Sequence, residues 1–287
     1  MSTPVLVSEH ERNELRALIE QRSGIRFDSD RERFFSGRVR DHAQEKGLAG
    51  GADLMRLVLS SNAEYEALLQ RLLTHETAFF RYPAAFEALS KRALPETYAR
   101  KVSSNPRRLR IWSAGCSTGE EAYSIAIAVA GNLSFAKNWT IEILATDISR
   151  QALAQATRAV YPRRSLGGLT PAQIEAYFTP VSERWEVKPA IRRMVSFAAM
   201  NLAQSLYLGR MDMIFCMNVL IYFADEHRNE AIARFYNCLE PGGFLLLGHS
   251  ETLTGHPAKF ERIVVGDYVL YRKPDRAHRA SEVGGPS

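Results

Sequence analysis

The chain has 287 residues, 46% of them hydrophobic and 24% charged, enough for one large or two modest domains with a sizeable core. A net charge of +5 is too slight for a nucleic-acid footprint, which needs basic residues gathered on one face, so no nucleic-acid partner is expected. Three cysteines, Cys116, Cys216 and Cys238, have no CxxC spacing, which argues against a zinc site or a disulfide framework and for reduced thiols in the cytoplasm.

The opening MSTPVLVSEH lacks the basic-then-apolar layout of a signal peptide, and no apolar run reaches the ~18 residues of a membrane span. A cytoplasmic monomer with no membrane insertion and no bound metal is the expectation. Residues 8 to about 85 read as helical. Ser8 followed by Glu11 has the pattern of a capping box, Leu15, Leu18 and Ile19 recur at helical spacing, and Gly24 ends the first helix. DRERFFSGRVRDHAQEKG forms a second helix, stopping at Gly47, and GADLMRLVLSS and AEYEALLQRLLTHE supply two more. Such helices are stable only when their faces pack together, as in a small bundle.

From Leu109 the texture changes to strands alternating with helices: RIWSA, a helix through Ala130, WTIEILATD, a helix from Ser149, then MDMIFCMN, a helix over 225–239, and GGFLLLGHS. That alternation predicts an α/β fold with a parallel sheet covered on both faces. RWEVKP, after the helical LTPAQIEAYF, belongs to a small antiparallel β insert at about 180–195. The domain reading is therefore an N-terminal helical domain over 1–85, a linker over 86–106, the sheet domain over 107–272, and a disordered polar tail over 273–287.

The stretch RIWSAGCSTGEEAYSIA (110–126) carries the first chemical signal. Gly115 and Gly119 let the backbone turn tightly at a strand end and approach a ligand. The spacing is one residue short of a P-loop, and Glu120 stands where the lysine would be. Carboxylates at this helix start suit the macrodipole, and simple capping would explain them. They would also repel pyrophosphate and attract a cation, as in a nucleoside carrying an ammonium group; S-adenosylmethionine is such a cofactor. Asp147, ending WTIEILATD, is placed to accept hydrogen bonds from both ribose hydroxyls, and equally to cap the helix that begins near Ser149.

THETAFFR (74–81), CMNVLIYF (216–223) and GHSE (248–251), together with WSAGCSTGEEAYS, resemble the CheR family, methyltransferases that esterify glutamates of bacterial chemoreceptors. The resemblance runs to about residue 272. It implies a Rossmann-like methyltransferase sheet, S-adenosylmethionine as cofactor with S-adenosylhomocysteine as product, and chemoreceptor cytoplasmic helices as partners. Carried over by position, it implies cofactor contacts from Thr77, Arg81, Glu121, Asp147, Asn201 with Leu202, and Asn218 with Val219. His75 stands where many relatives have asparagine and would contact the cofactor carboxylate or simply pack. Asn201 and Asn218 would equally serve as turn residues at strand ends. NVLIY also bears a likeness to the NPPY-type motif of enzymes that methylate nucleic-acid amino groups, but both prolines are missing.

A carboxylate attacking a sulfonium methyl needs positioning rather than a general base. Arg81 is the candidate for orienting the substrate carboxylate. Tyr222 would donate its hydroxyl to the second carboxylate oxygen, or be an ordinary buried aromatic. Arg31 and Arg38, seven residues apart, and Arg40, seven beyond Arg33, make the second helix either a docking surface for acidic receptor helices or, diluted by Asp28, Asp30, Glu32 and Asp41, an ordinary solvated face. The insert's loop is short and lacks glycine, so binding of a peptide tethered to the receptor is expected to be absent or altered. A methyltransferase of another substrate and a cofactor-binding adaptor without turnover stay open.

Overall fold

The computed structural model describes residues 7–132, 135, 138–204, 208–253 and 256–275. The chain divides into two units, one of residues 1–75 with 222–228 and the other of 76–221 with 229–287.

In the first unit, α1 (Glu9–Ser23) starts at the expected capping box: the Glu11 N–H donates to Ser8 Oγ, and the Ser8 N–H donates to Glu11 Oε2 at 2.7 Å. Gly24 ends it at φ 77, in the left-handed conformation that glycine adopts without penalty. There follow α2 (Glu32–Glu45), α3 (Gly51–Ser60) and α4 (Asn62–Leu72). Leu15, Ile19, Phe35, Val39, Leu54 and Leu68 are fully buried, one face from each helix. The expected last helix is cut short: Leu73 turns extended, so THE lies beyond α4. One part of this unit was not foreseen. Residues 222–228, far along the chain, join it through an antiparallel bridge between Ile25 and Phe223 and a 2.7 Å hydrogen bond from the Arg26 N–H to the Tyr222 carbonyl.

The second unit opens with helix where the sequence reading puts a linker. Pro83–Ala88 (α5), a π-helical turn Leu89–Ala93 and Leu94–Lys101 (α6) run on continuously. Pro95 has no N–H to donate backwards, a local reason for the widened turn before it. Phe86, Leu89, Ala93 and Leu94 are buried in the same core as Leu109, Ile111 and Phe215, so this segment is part of the domain rather than a connector.

The main sheet has seven strands: β1 (Arg108–Ala114), β2 (Thr140–Asp147), β6 (Val195–Ala199), β7 (Met211–Cys216), β8 (Leu239–Leu247), β9 (Glu261–Val265) and β10 (Tyr268–Arg272). Their order is β6-β2-β1-β7-β8-β10-β9; the first five are parallel, and β10 is antiparallel to both neighbours. The order reverses between β1 and β7, which are paired at Ile111–Met213 through Ser113–Phe215. Ligands of such sheets settle beyond the strand carboxyl ends at this reversal. Helices α7 (Glu120–Ala130), α8 (Arg150–Arg158) and a later helix, Asp225–Cys238, follow β1, β2 and β7, as the alternation predicts.

The insert is antiparallel but lies earlier than expected. β3 (Val160–Pro162), β4 (Phe178–Val181) and β5 (Arg184–Val187) form a three-stranded sheet in the order β3-β5-β4, and Val195 already belongs to the main sheet. Its β4–β5 turn is only Ser182–Glu183, with Ser182 at φ 53 and no glycine. Of the polar tail, residues from 276 on lie outside the described residues. Lys273 is held by backbone bonds with Gly242 and Gly243.

Candidate functional site

The stretch after β1 is shaped by three residues at positive φ, Gly115 (83), Ser117 (48) and Gly119 (95). The Gly115 and Cys116 N–H groups both donate to the Thr146 carbonyl, at 2.8 and 2.9 Å. Asp147 ties the loop to its neighbour: Oδ2 accepts the Ser117 N–H at 2.7 Å and Oδ1 accepts the Ser149 N–H at 2.8 Å. Asp147 does not itself cap α8: the N-cap is Ser149, whose Oγ accepts the Ala152 N–H at 3.0 Å, and Asp147 makes the Asx-type turn that leads into it. A carboxylate at this strand end is the acceptor type that ribose hydroxyls would require.

The two glutamates at the start of α7 have separate surroundings. Glu120 is 3% exposed, accepts the Thr118 hydroxyl at 2.6 Å, and has its pKa raised by burial. Glu121 accepts the Ser113 hydroxyl at 2.6 Å. Burial pushes its pKa up to about 7; the Ser113 bond and the Arg81 charge oppose that, and Glu251 reinforces it. A carboxyl poised there, at a strand carboxyl edge, suits a cationic ligand and repels a phosphate.

Across the sheet reversal, Asn218 stands at φ 59 just beyond β7. Its Oδ1 accepts the Tyr82 hydroxyl. Val219 faces Gly115 so closely that a Cβ on that glycine would come within 2.4 Å of Val219 Cγ2. The backbone here is held by a residue the sequence reading did not assign. Glu251 accepts the N–H groups of Gly248, Asn218, Val219, Leu220 and Ile221 at 2.7, 2.9, 3.0, 2.7 and 3.3 Å. Its only signal in the sequence is the motif GHSE, because its partners other than Gly248 lie about thirty positions earlier.

Arg81 follows a strained turn. Phe80 has φ 50, an outlier for a bulky residue, and its N–H donates to Ser124 Oγ at 3.0 Å. Phe79, on one side, is locked edge-on against Tyr161 and Phe178. Arg81 itself is exposed, donates to the Glu76 carbonyl and lies over the Tyr82 ring at 5.6 Å. Thr77 is half-buried on the same non-helical segment.

Asn201 and Leu202 lie just past β6, beside Asp147, whose carbonyl accepts the Met200 N–H at 2.9 Å. The turn-residue reading of Asn201 holds, since its Oδ1 accepts the Ala203 N–H at 2.9 Å; the Leu202 carbonyl is taken by Arg234. Gly115, Glu121, Asp147, Asn201, Leu202, Asn218 and Val219 thus gather at one edge of one sheet.

His75, Tyr222 and the arginines Arg31, Arg38 and Arg40 belong to the helical unit. His75 is exposed, just beyond α4. The Tyr222 hydroxyl is 3.4 Å from Thr74 Oγ1, and the Arg31 guanidinium lies 4.9 Å from its ring centroid. Arg31 is not on α2 but ends a short 3-10 turn, stacked also on Phe27 and Phe34. Arg38 stacks on Phe34 from the next turns, whereas Arg40, two residues on, sits on another flank of the helix.

The three cysteines are free and buried, and burial raises the thiol pKa of Cys116 and Cys216 well above the usual range. Among the described residues no three His, Cys, Asp or Glu side chains are grouped to hold a metal ion, and no helix is long and apolar enough to cross a membrane.

Family comparison agrees with this layout. Residues 10–73 match the all-alpha domain of CheR methyltransferase, and residues 75–269 match its SAM-binding domain. Chemotaxis protein methyltransferase 1 of Pseudomonas aeruginosa is 36% identical over 265 residues, covering 90% of this chain and 95% of that one. Chemotaxis protein methyltransferase Cher2 of Pseudomonas putida is 33% identical, covering 90% and 96%. The chemotaxis protein methyltransferase of Vibrio parahaemolyticus is 34% identical, covering 94% and 99%. With both domains matched in order and the acidic, phosphate-excluding loop in place, the chain belongs to the CheR family of S-adenosylmethionine-dependent chemotaxis methyltransferases.

Proposed function

We propose that this protein methylates glutamate side chains on the cytoplasmic helices of chemoreceptors, forming glutamyl methyl esters and leaving S-adenosylhomocysteine. The observation that carries this reading is the similarity, over nearly the whole chain, to proteins named chemotaxis protein methyltransferases. The chemistry of the site supports it. The cofactor supplies a methyl group already activated on sulfonium. A glutamate side chain, with a reference pKa of ~4.3, is ionised near neutral pH and needs no base to become a nucleophile.

The protein's part is then to hold and align. Asp147 accepts from the ribose, Glu121 faces the cationic end of the cofactor, and Gly115 with Val219, Asn218, Asn201 and Leu202 lines its seat. Thr77 and Arg81 approach from the strained segment, where Arg81 orients the incoming carboxylate as well as contacting cofactor. Replacing a negative charge with a neutral ester is the local change a receptor signalling helix would read.

The test is to incubate the protein with methyl-labelled cofactor and receptor cytoplasmic fragments, then treat with base. Label released as methanol marks carboxyl esters; label that survives base would indicate a methylated amine or nucleobase, and binding without incorporation an adaptor. In the same assay Arg81→Ala should lose about hundredfold in turnover and less than tenfold in cofactor affinity. Equal losses would reduce Arg81 to a binding residue. Reversing charge at both Arg38 and Arg40 should lower receptor methylation about tenfold at low salt, and unchanged rates would remove that docking surface.

Glu121 makes cofactor affinity depend on pH. Its carboxyl is protonated below about 7 and ionised above, and the ionised form favours a cation. Affinity should therefore tighten about tenfold from about pH 6 to pH 8, and Glu121→Gln should flatten that rise. The cofactor's own titration is common to both proteins and drops out of the difference. Because the folded protein holds this carboxyl above the usual carboxylate range, ionisation opposes folding as pH rises from that range to about 7. Ligand-free Glu121→Gln should accordingly melt higher than the parent at neutral pH. Parallel pH profiles for the two proteins would sink the assignment.

A further inference from the structure

The loop from Asn218 to Ile221 presents four successive N–H groups to one side, a concavity of the kind that binds anions. Here the anion is built in. Glu251 is 8% exposed and divides its two oxygens between the two ends of the loop: Oε2 takes Asn218 with Gly248, and Oε1 takes Val219, Leu220 and Ile221.

Gly248 is part of the same device. A Cβ there would fall 2.6 Å from Glu251 Oε2 and 2.9 Å from the Asn218 nitrogen, so only glycine lets the carboxylate reach the loop. The spacing of glycine and glutamate in GHSE thus has a geometric reason. On its other side the loop offers the Val219 side chain against Gly115 and the Asn218 amide to the Tyr82 hydroxyl.

We propose that Glu251 is a positioning residue for methyl transfer, acting through the Asn218–Val219 backbone, which it clamps from behind the cofactor site. This rests on the reading that Asn218 and Val219 seat the cofactor. Glu251 also acts at a distance, since its negative charge reinforces the raised pKa of Glu121 beside Ser113 and Arg81. Losing that charge lowers the pH at which Glu121 ionises.

The experiment compares Glu251→Gln, Glu251→Asp and Asn218→Ala with the parent in the full chain, measuring S-adenosylmethionine affinity by calorimetry across pH, turnover, and amide hydrogen exchange. Gln keeps the shape but turns an NH₂ toward N–H donors, so affinity should fall about tenfold or more while the KM for the protein substrate changes less than twofold. Exchange at 218–221 should quicken, and the midpoint of affinity against pH should move below that of the parent. Glu251→Asp keeps the charge and should recover part of the affinity and the parental midpoint. If Glu251→Gln folds poorly, Glu251→Asp carries the reading, with a loss of about threefold or more from its shorter reach.

Affinity, turnover and pH midpoint all within twofold of the parent in a folded Glu251 variant, with Asn218→Ala impaired, would overturn the proposal alone. If Asn218→Ala also binds normally, the reading of the cofactor seat falls with it. Faster exchange with unchanged affinity would show Glu251 to be structural only, and would likewise overturn it.

Discussion

Gly115→Ala is expected to weaken S-adenosylmethionine binding by about a hundredfold or more, the larger part from displacing Val219. Gly115 sits at φ 83, where an L side chain costs about 1–2 kcal/mol. The new methyl group would lie 2.4 Å from Val219 Cγ2 and 3.3 Å from Cγ1, well inside contact distance. Neither side yields easily. The Gly115 and Cys116 N–H groups are bound to Thr146, and the Val219 backbone is bound to Glu251. Adding Val219→Ala to the variant removes the clash and leaves the backbone penalty, so it should restore much of the affinity. Calorimetry on the four proteins of this cycle measures the coupling, expected to reach about 1–3 kcal/mol. Additive losses, or a single variant binding within threefold of the parent, would mean that the close approach of these two residues does not shape the site.

The second large effect concerns stability. Asp212, on β7, is 1% exposed and accepts from the Arg100 guanidinium at 3.0 Å, the Lys101 ammonium at 2.7 Å and the Arg110 N–H at 3.0 Å. Asp212→Ala removes the shared acceptor of two cations and a backbone donor, Arg100 alone of the three keeping a bond among the described residues, to the Pro241 carbonyl, at 2.6 Å. Breaking a buried ion pair costs about 3–5 kcal/mol, and the partial exposure of both cations puts this case at the lower end. For a protein of this size that corresponds to a melting temperature lower by about 10 °C. Asp212→Asn keeps the shape and one acceptor, so its loss should be intermediate. Thermal melting checks both, and a shift under about 2 °C for the alanine variant would show the cluster to be solvated and dispensable. The prediction matters for the fold because Arg100 and Lys101 close α6, in the segment whose polar, proline-containing sequence reads as a linker.

That misreading shows where local signals stop. Residues 86–106 carry lysines, arginines and prolines at a spacing a connector would also have; Asp212 and the Pro241 carbonyl, over a hundred positions later, give Arg100 and Lys101 interior partners. The β insert is similar. RWEVKP is recognisable as a strand, but its neighbour Val160–Pro162 is too short to read alone and gains its identity by pairing with Arg184–Glu186. Residues 222–228 read as the sheet domain's own loop and helix start. Their hydrogen bonds go instead to Gly24 and Arg26.

What the sequence determined by itself was whatever acts over a few residues. The capping box at Ser8, the strand-helix alternation from Leu109, the glycine turn that excludes a P-loop, and the acidic ends at Glu121 and Asp147 are all set by neighbours in the chain. Tertiary structure decided everything that depends on distant partners: the near-neutral pKa of Glu121, the Tyr222 ring set against Arg31, and the carboxylate of Glu251 reaching back to Asn218. Capping and periodicity are short-range and leave a mark in the local pattern. Desolvation and buried hydrogen bonding depend on which remote segments close over a group, and the pattern around that group carries no record of them.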